Sequence, residues 1–342
     1  MITQTETHVK YGVYHSFDDA CFSPGGWNDL VEKAGGHVFM TWHYQKVWWE
    51  VFGRGKLLII AVFEKDTLTT IAPLFADEGM IYFVGSGGSD YLHFIGNVSD
   101  IDVLGNMLHL AMEEVEGFLG FLFYHVPVAF QLQETLKSIA LKFSLDFYIE
   151  DEQIAPVISI KKYPIQAIEA VNKKSLVRHE AWFKRNGILT IQHLSKTSEI
   201  LPWLETFFEQ HRQRWAVTAH PSLFNDARQC LFFTKLAEVA DASNWLRFTV
   251  VLFNDNPIAF HFGFTYNESF LWYKPTFDIS MAKQSPGEVL LKQLLTYAID
   301  NGLTNFDFGL GNEAFKQRFA THNFMVQNIG MYPSKSLTKE SV

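Results

Sequence analysis

A helix that opens with Ser285-Pro286-Gly287, after an apolar strand pattern and a loop of small and polar residues, is the first place where this sequence suggests chemistry. Proline suits the first helical position and Ser285 suits the N-cap, so the helix is expected to begin there. The N–H groups of such an end lack helical partners and carry the positive end of the helix dipole, which suits a phosphate. A well-capped core helix without a ligand fits the same residues. Asp307 lies between two phenylalanines, just before Gly309-Leu310-Gly311. Alternation buries that acid, and a buried carboxylate needs partners. It serves either as a general base or as a brace for the glycine turn. Lys316, in Phe315-Lys316-Gln317-Arg318-Phe319, either steadies a developing oxyanion or a phosphate, or sits solvated beyond the turn. His261 sits within an apolar strand and reads as a core histidine before it reads as a base.

Other chemistries are excluded by spacing. Gly309 to Ala314 spells G-x-G-x-x-A, but a dinucleotide fold needs a further helix, strand and acid, and only 28 residues follow Ala314. No pair of histidines has zinc-ligand spacing, so no metal is expected, and neither a Gly-x-Ser-x-Gly nor a phosphate-loop lysine motif occurs. Lys173, Lys174, Arg178, Lys184 and Arg185 make a basic helix that either touches phosphates or is a solvated face. Gly85 to Asp90 is a glycine-rich loop that could line a substrate cleft or simply turn the chain.

The elements that must hold these residues follow from periodicity and turn signals. Apolar runs at 57–63 and 68–75, split by Glu64-Lys65-Asp66-Thr67, predict a hairpin, and 80–84 a third strand. Runs at 246–253, 257–265 and 270–274, split by Asn254-Asp255-Asn256 and by Tyr266 to Ser269, predict the same pattern again. An offset of 190 residues lays one set on the other without a gap, as internal duplication of one α/β module would. Helices are expected at 27–34, 41–52, 102–116, 130–143, 173–185, 200–214, 225–241 and 286–301, with short strands near 11–14, 121–126 and 305–308. Residues 146–160 are expected to be extended.

The chain has 342 residues, 48% of them hydrophobic, enough for a sizeable core and two domains. The boundary is expected at 155/156, giving modules 1–155 and 156–342. A net charge of −9 speaks against binding duplex nucleic acid. Cys21 and Cys230 are too few and too far apart for a disulfide framework. The first ten residues are polar, without a secretory pattern, and the uncharged stretch 118–130 is too short for a membrane helix and holds Pro127. A cytoplasmic protein without membrane insertion is expected.

The segment from Trp272 to Phe319 resembles the acyl-CoA N-acyltransferase (GNAT) superfamily. Its double-module branch includes the CelD-type cellulose-biosynthesis acetyltransferases and the Fem-type peptidoglycan aminoacyltransferases. The residues concerned are Tyr273-Lys274-Pro275 with Phe277-Asp278, Ser285-Pro286-Gly287, Asn301-Gly302-Leu303, Phe306-Asp307-Phe308-Gly309, and Asn312-Glu313 with Phe315-Lys316. Arg178, Trp182 and Arg185 to Gly187, His211 to Trp215, and Pro257-Ile258-Ala259 add to it. The resemblance implies α/β architecture with mixed sheets, in two tandem GNAT-like modules. It implies an N-acyltransferase that moves an acyl group, acetyl in the simplest case, from acyl-CoA to an amine by direct attack, the acceptor being a small molecule, glycan or peptide of polysaccharide or cell-envelope biosynthesis. It implies Lys283, Gln284, Ser285 and Gly287 as donor-binding residues, and Lys316, Asp307 and Tyr273 as catalytic ones. The family pattern Gln/Arg-x-x-Gly-x-Gly/Ala is matched at Gln284 and Gly287 but ends in Val289, and Glu288 would set a carboxylate near a pyrophosphate. An aminoacyl-tRNA donor, as in Fem-type enzymes, and a non-catalytic relative with an eroded donor site both stay open.

Overall fold

The computed structural model describes residues 9–96 and 98–334. The described residues group into two compact units, one within Met1–Gln153 and Phe324–Val342, the other Ile154–Asn323. The sequence expectation placed 156–342 together, whereas the last strand is grouped with the N-terminal residues. The reason lies in strand pairing.

In the first unit, β1 (Val9–Tyr14) is followed by α1 (Pro24–Lys33) and α2 (Trp42–Phe52). The meander β2 (Lys56–Glu64), β3 (Thr67–Asp77) and β4 (Met80–Phe83) comes next, then the short β5 (Ile95–Gly96) on β3. Helix α3 (Ile101–Glu113) leads to β6 (Gly120–Pro127), and α4 (Leu132–Lys142) to β7 (Leu145–Ser159). Strands β4 and β6 are parallel. In the second unit, α5 (Pro164–Val171) and α6 (Lys174–Asn186) precede β8 (Leu189–Leu194). Helices α7 (Thr197–Ile200), α8 (Leu204–Trp215), α9 (Ala227–Glu238) and α10 (Ala240–Ser243) lead into a second meander, β9 (Leu246–Phe253), β10 (Asn256–Tyr266) and β11 (Ser269–Phe277). Helix α11 (Pro286–Asp300) crosses to β12 (Asn305–Asp307), parallel to β11, and α12 (Ala314–Gln317) leads to β13 (His322–Pro333). Beside the parallel pair, each unit adds an antiparallel strand: β13 on β6 in the first, and the end of β7 on β12 in the second.

The two meanders repeat as expected, although the turns align one residue differently. Lys65-Asp66 and Asn254-Asp255 both take left-handed φ, 189 residues apart, as do Glu78-Gly79 and Asn267-Glu268 at their starts. Two-residue turns with positive φ at both positions match the twist of a hairpin. The pair with left-handed φ therefore sets the register, rather than the polar pair one residue later. Strands β8 and β13 and helices α5 and α12 were not expected; β8, half-buried at every position but the exposed His193, has too little contrast between its faces to be read from period.

The second unit has a covered face on each side of its sheet. Phe260, Phe262 and Phe264 of β10 meet Phe207 of α8 and Phe233 of α9 or one another. On the other side Phe270, Trp272, Phe306 and Phe308 form one core with Leu290 and Leu294 of α11 and Phe183 of α6. No helix among the described residues is long and apolar enough to cross a membrane.

Candidate active site

Strands β11 and β12 pair over only three positions, ending at Leu271 opposite Asp307. Beyond that, β11 runs on to Phe277 against β10, while the chain leaving Asp307 turns to β7. There Phe308 N–H donates to the Pro156 carbonyl and Gly311 N–H to the Ile154 carbonyl, each at 2.9 Å. The parallel strands therefore splay. A bulge accompanies the opening: Phe264 faces Leu271 but Phe262 faces Lys274, so β11 carries one extra residue. His261 holds it. The Tyr273 N–H donates to His261 Nε2 at 3.1 Å, and the ring, fully buried, is pushed by burial down to about 3 and stays neutral. Gly263 makes room, since a Cβ there would lie 2.0 Å from His261 Cε1.

The donor-side residues lie beyond β11. Asp278 Oδ1 accepts the Ser280 N–H at 2.9 Å and starts the short 3-10 helix Ile279–Gln284, which carries Lys283 and Gln284. Ser285 does occupy the N-cap of α11, but in a left-handed conformation (φ 56°, ψ 57°) and without a side-chain capping bond. Its carbonyl, not its hydroxyl, takes the Glu288 N–H at 3.0 Å. Pro286 has no N–H, and the Gly287 amide has no partner among the described residues. The Phe277 ring packs on Gly287, where a Cβ would sit 3.1 Å from Cδ1. Glu288 is drawn away to α6, where His179 Nδ1 lies 2.8 Å from its carboxylate.

Asp307 and Lys316 act on one turn from two sides. Asp307, 4% exposed, accepts the Gly309 N–H at 2.7 Å. Lys316, 5% exposed, donates from Nζ to the Leu310 carbonyl at 2.6 Å and pairs with Glu313 at 2.9 Å. Gly309 (φ 67°) and Gly311 (φ 118°) suit the backbone of that turn, and at Gly311 a Cβ would come within 3.2 Å of the lysine Nζ. Tyr273 is buried against Phe233 of α9 and Phe264 of β10, with Lys274 Nζ 4.1 Å above its ring. In register, Asp307 shares the sheet face of Leu271 and Phe264.

The acetyltransferase (GNAT) domain family matches residues 171–317. FemX superposes with a TM-score of 0.64 at 12% identity, over 91% of this chain and 96% of its own. A conserved protein of unknown function from Bacteroides thetaiotaomicron gives 0.59 at 10% identity, over 94% of this chain and all of that one. L-PGS from Bacillus licheniformis gives 0.56 at 14% identity, over 92% and 93%. The chain has a GNAT-like, Fem-type fold. No curated protein sequence matches it.

Within that GNAT-like fold, one residue near the splay was not singled out by the sequence. Arg214 of α8 donates from Nη1 to the Pro275 carbonyl at 3.0 Å, and its guanidinium lies 4.3 Å over the Phe277 ring that covers Gly287. Burial lowers it to about 10, so it remains charged at neutral pH. Its neighbour Arg212 points elsewhere, to Glu205 and Glu209. Residues two apart on a helix face different ways, so the pair in His211-Arg212-Gln213-Arg214 divides its tasks. Nearby, His211 is buried, pushed down to about 3 chiefly by burial and further by the Arg214 and Lys274 charges. The arrangement offers an open strand edge for an extended group, one unpartnered amide and a cation at its mouth. Among the described residues no group of three or more His, Cys, Asp or Glu could hold a metal.

Proposed function

We propose that this protein is an N-acyltransferase that transfers an acyl group, acetyl in the simplest case, from an acyl-CoA thioester to an amine. The observation that carries the reading is the splay of β11 from β12 beyond Leu271 and Asp307, opened by a bulge and followed, after the short 3-10 helix Ile279–Gln284, by α11. An extended pantetheine arm can lie along the freed edge as a strand would. Lys283, Gln284, Ser285 and Gly287 would hold the donor's phosphates, supported by the unpartnered Gly287 amide. The acceptor nitrogen attacks the thioester carbon, the C–N bond forms, the C–S bond breaks, and the proton lost by the nitrogen passes to water, from which the Tyr273 phenol is restored after it protonates the thiolate. Asp307 and Lys316 set the turn 309–311 that borders the reacting carbonyl, and Tyr273 returns a proton to the thiolate. The acceptor is a small molecule or a glycan or peptide precursor, handled in the cytoplasm in polysaccharide or cell-envelope synthesis.

An aminoacyl-tRNA donor is the second reading, favoured by Lys316 within Phe315 to Phe319 and by the overall likeness to FemX. Thermal shifts with acetyl-CoA, CoA and longer acyl-CoAs, followed by thiol release with a panel of amines, separate the two. Stabilisation by acyl-CoA with amine-dependent thiol release is the expected result. No stabilisation by any CoA species up to millimolar concentration would overturn the acyl-CoA reading.

A further inference from the structure

A cleft of about 390 Å³ lies in the second unit between α5 and the residues that follow α12. Its volume is in the range of small-ligand sites. Lys173 and Arg318 both line it, their charges 5.3 and 5.7 Å from the same Phe319 ring. Two like charges directed at one ring repel each other, and among the described residues neither forms an ion pair. Glu169, on the same lining and one turn before Lys173, pairs with neither, so the cleft is left with an excess of positive charge. Lys173 also stands at the N-cap of α6, a helix of 13 residues with no side-chain cap there. Of that helix end, Lys173 is the residue that lines the cleft.

We propose that this cleft binds a phosphate ester, its oxygens taken by Lys173 and Arg318. A phosphate carries up to two negative charges and several acceptor oxygens, which matches two cations. Tyr163 and Gln166 supply neutral hydrogen-bonding groups for the rest of the molecule. The phosphate belongs either to the nucleotide end of a donor or to a separate phosphorylated metabolite. Because Phe319 N–H donates to the Lys316 carbonyl at 3.0 Å, an occupant touches the segment that positions that lysine. The inference stands on the cleft and does not require acyl transfer.

Calorimetric titration with inorganic pyrophosphate, CoA and 3′-dephospho-CoA at low salt tests it on the full chain. Wild type should bind pyrophosphate, and Lys173→Ala and Arg318→Ala should each weaken binding about tenfold or more. Glu169→Gln should tighten it by removing a like charge, while Lys161→Ala, whose partner is Glu268, should change nothing. If CoA binds better than 3′-dephospho-CoA, and Lys173→Ala erases the difference, the occupant is the donor's own 3′-phosphate. If the two bind alike and pyrophosphate still competes with neither, the phosphate is that of another molecule. Absence of pyrophosphate binding at millimolar concentration, or binding indifferent to both cation removals, overturns the proposal. Amine-dependent thiol release that persists in such a protein would leave the acyltransferase reading intact while the cleft assignment falls.

Discussion

Lys316 keeps its ammonium away from water and answers it with two oxygens, the Leu310 carbonyl and the Glu313 carboxylate. Removing the side chain takes this part-buried, charge-assisted bond from the Leu310 carbonyl, a loss of about 1–3 kcal/mol. Lys316→Ala is therefore expected to lower stability measurably, and turnover by on the order of 10²–10⁴-fold if the turn it holds faces the reacting carbonyl. Melting temperature and kcat, measured on the same preparation, separate the two effects; an unchanged kcat with a true substrate pair would remove Lys316 from the machinery. Asp307 has a bracing bond to Gly309 N–H, and asparagine can still accept it, though more weakly without the charge. Asp307→Asn should cost about 1 kcal/mol of stability with a parallel, modest fall in rate. A fall of a thousandfold or more at unchanged stability, roughly what loss of a general base produces, would instead make Asp307 the base.

At the scale of elements, the bulge in β11 decides where the parallel strands part. Gly263 is its weak point, because a methyl group there meets His261 Cε1 at 2.0 Å and the Leu271 carbonyl at 2.5 Å. Neither neighbour can yield easily: one is a ring packed between Phe270 and Trp272, the other is backbone. Gly263→Ala is expected to destabilise the second unit by about 2–3 kcal/mol. It should also displace Tyr273 N–H from His261 and so weaken donor binding. A urea midpoint equal to wild type would show that the bulge relaxes freely, and the opening would need another cause. At Gly287, by contrast, only the Phe277 ring stands in the way, at 3.1 Å, and a helix gains from alanine.

Across the whole molecule, histidines held neutral by burial lead the response to acid, His37 at about 4 and three others lower still. His93, His211 and His261 are each held down to about 3, burial being the largest cause in every case. Their folded pKa lies below the ordinary 6.5, so the stability they lend is complete above pH 6.5 and is lost as pH falls from there toward 3. Each contributes up to about 1.4 kcal/mol per pH unit below 6.5. Melting temperature should therefore drop steadily between pH 7 and 5, well above the range in which carboxylates protonate. A flat melting temperature over that interval would mean that these imidazoles reach water or a partner when charged.

What the sequence by itself determined is local. Polar turn stretches such as Asn254 to Asn256, apolar runs of strand length and a proline at a helix start act over a few residues, so the two meanders and α11 could be read without a structure. The Phe-Asp-Phe-Gly stretch likewise marked Asp307 and its glycine turn. Tertiary structure decided what depends on distant partners. The strand beside β6 comes from the far end of the chain, because a sheet edge pairs with whatever strand reaches it, and 322–333 carries little alternation to announce itself. Glu288 was expected to oppose a phosphate but is held by His179, 109 residues away. Arg214 reaches the mouth of the splay only because α8 packs on β11 and brings it to Pro275, 61 residues on. Such placements are set by packing and charge between segments far apart in sequence, and no local period records them.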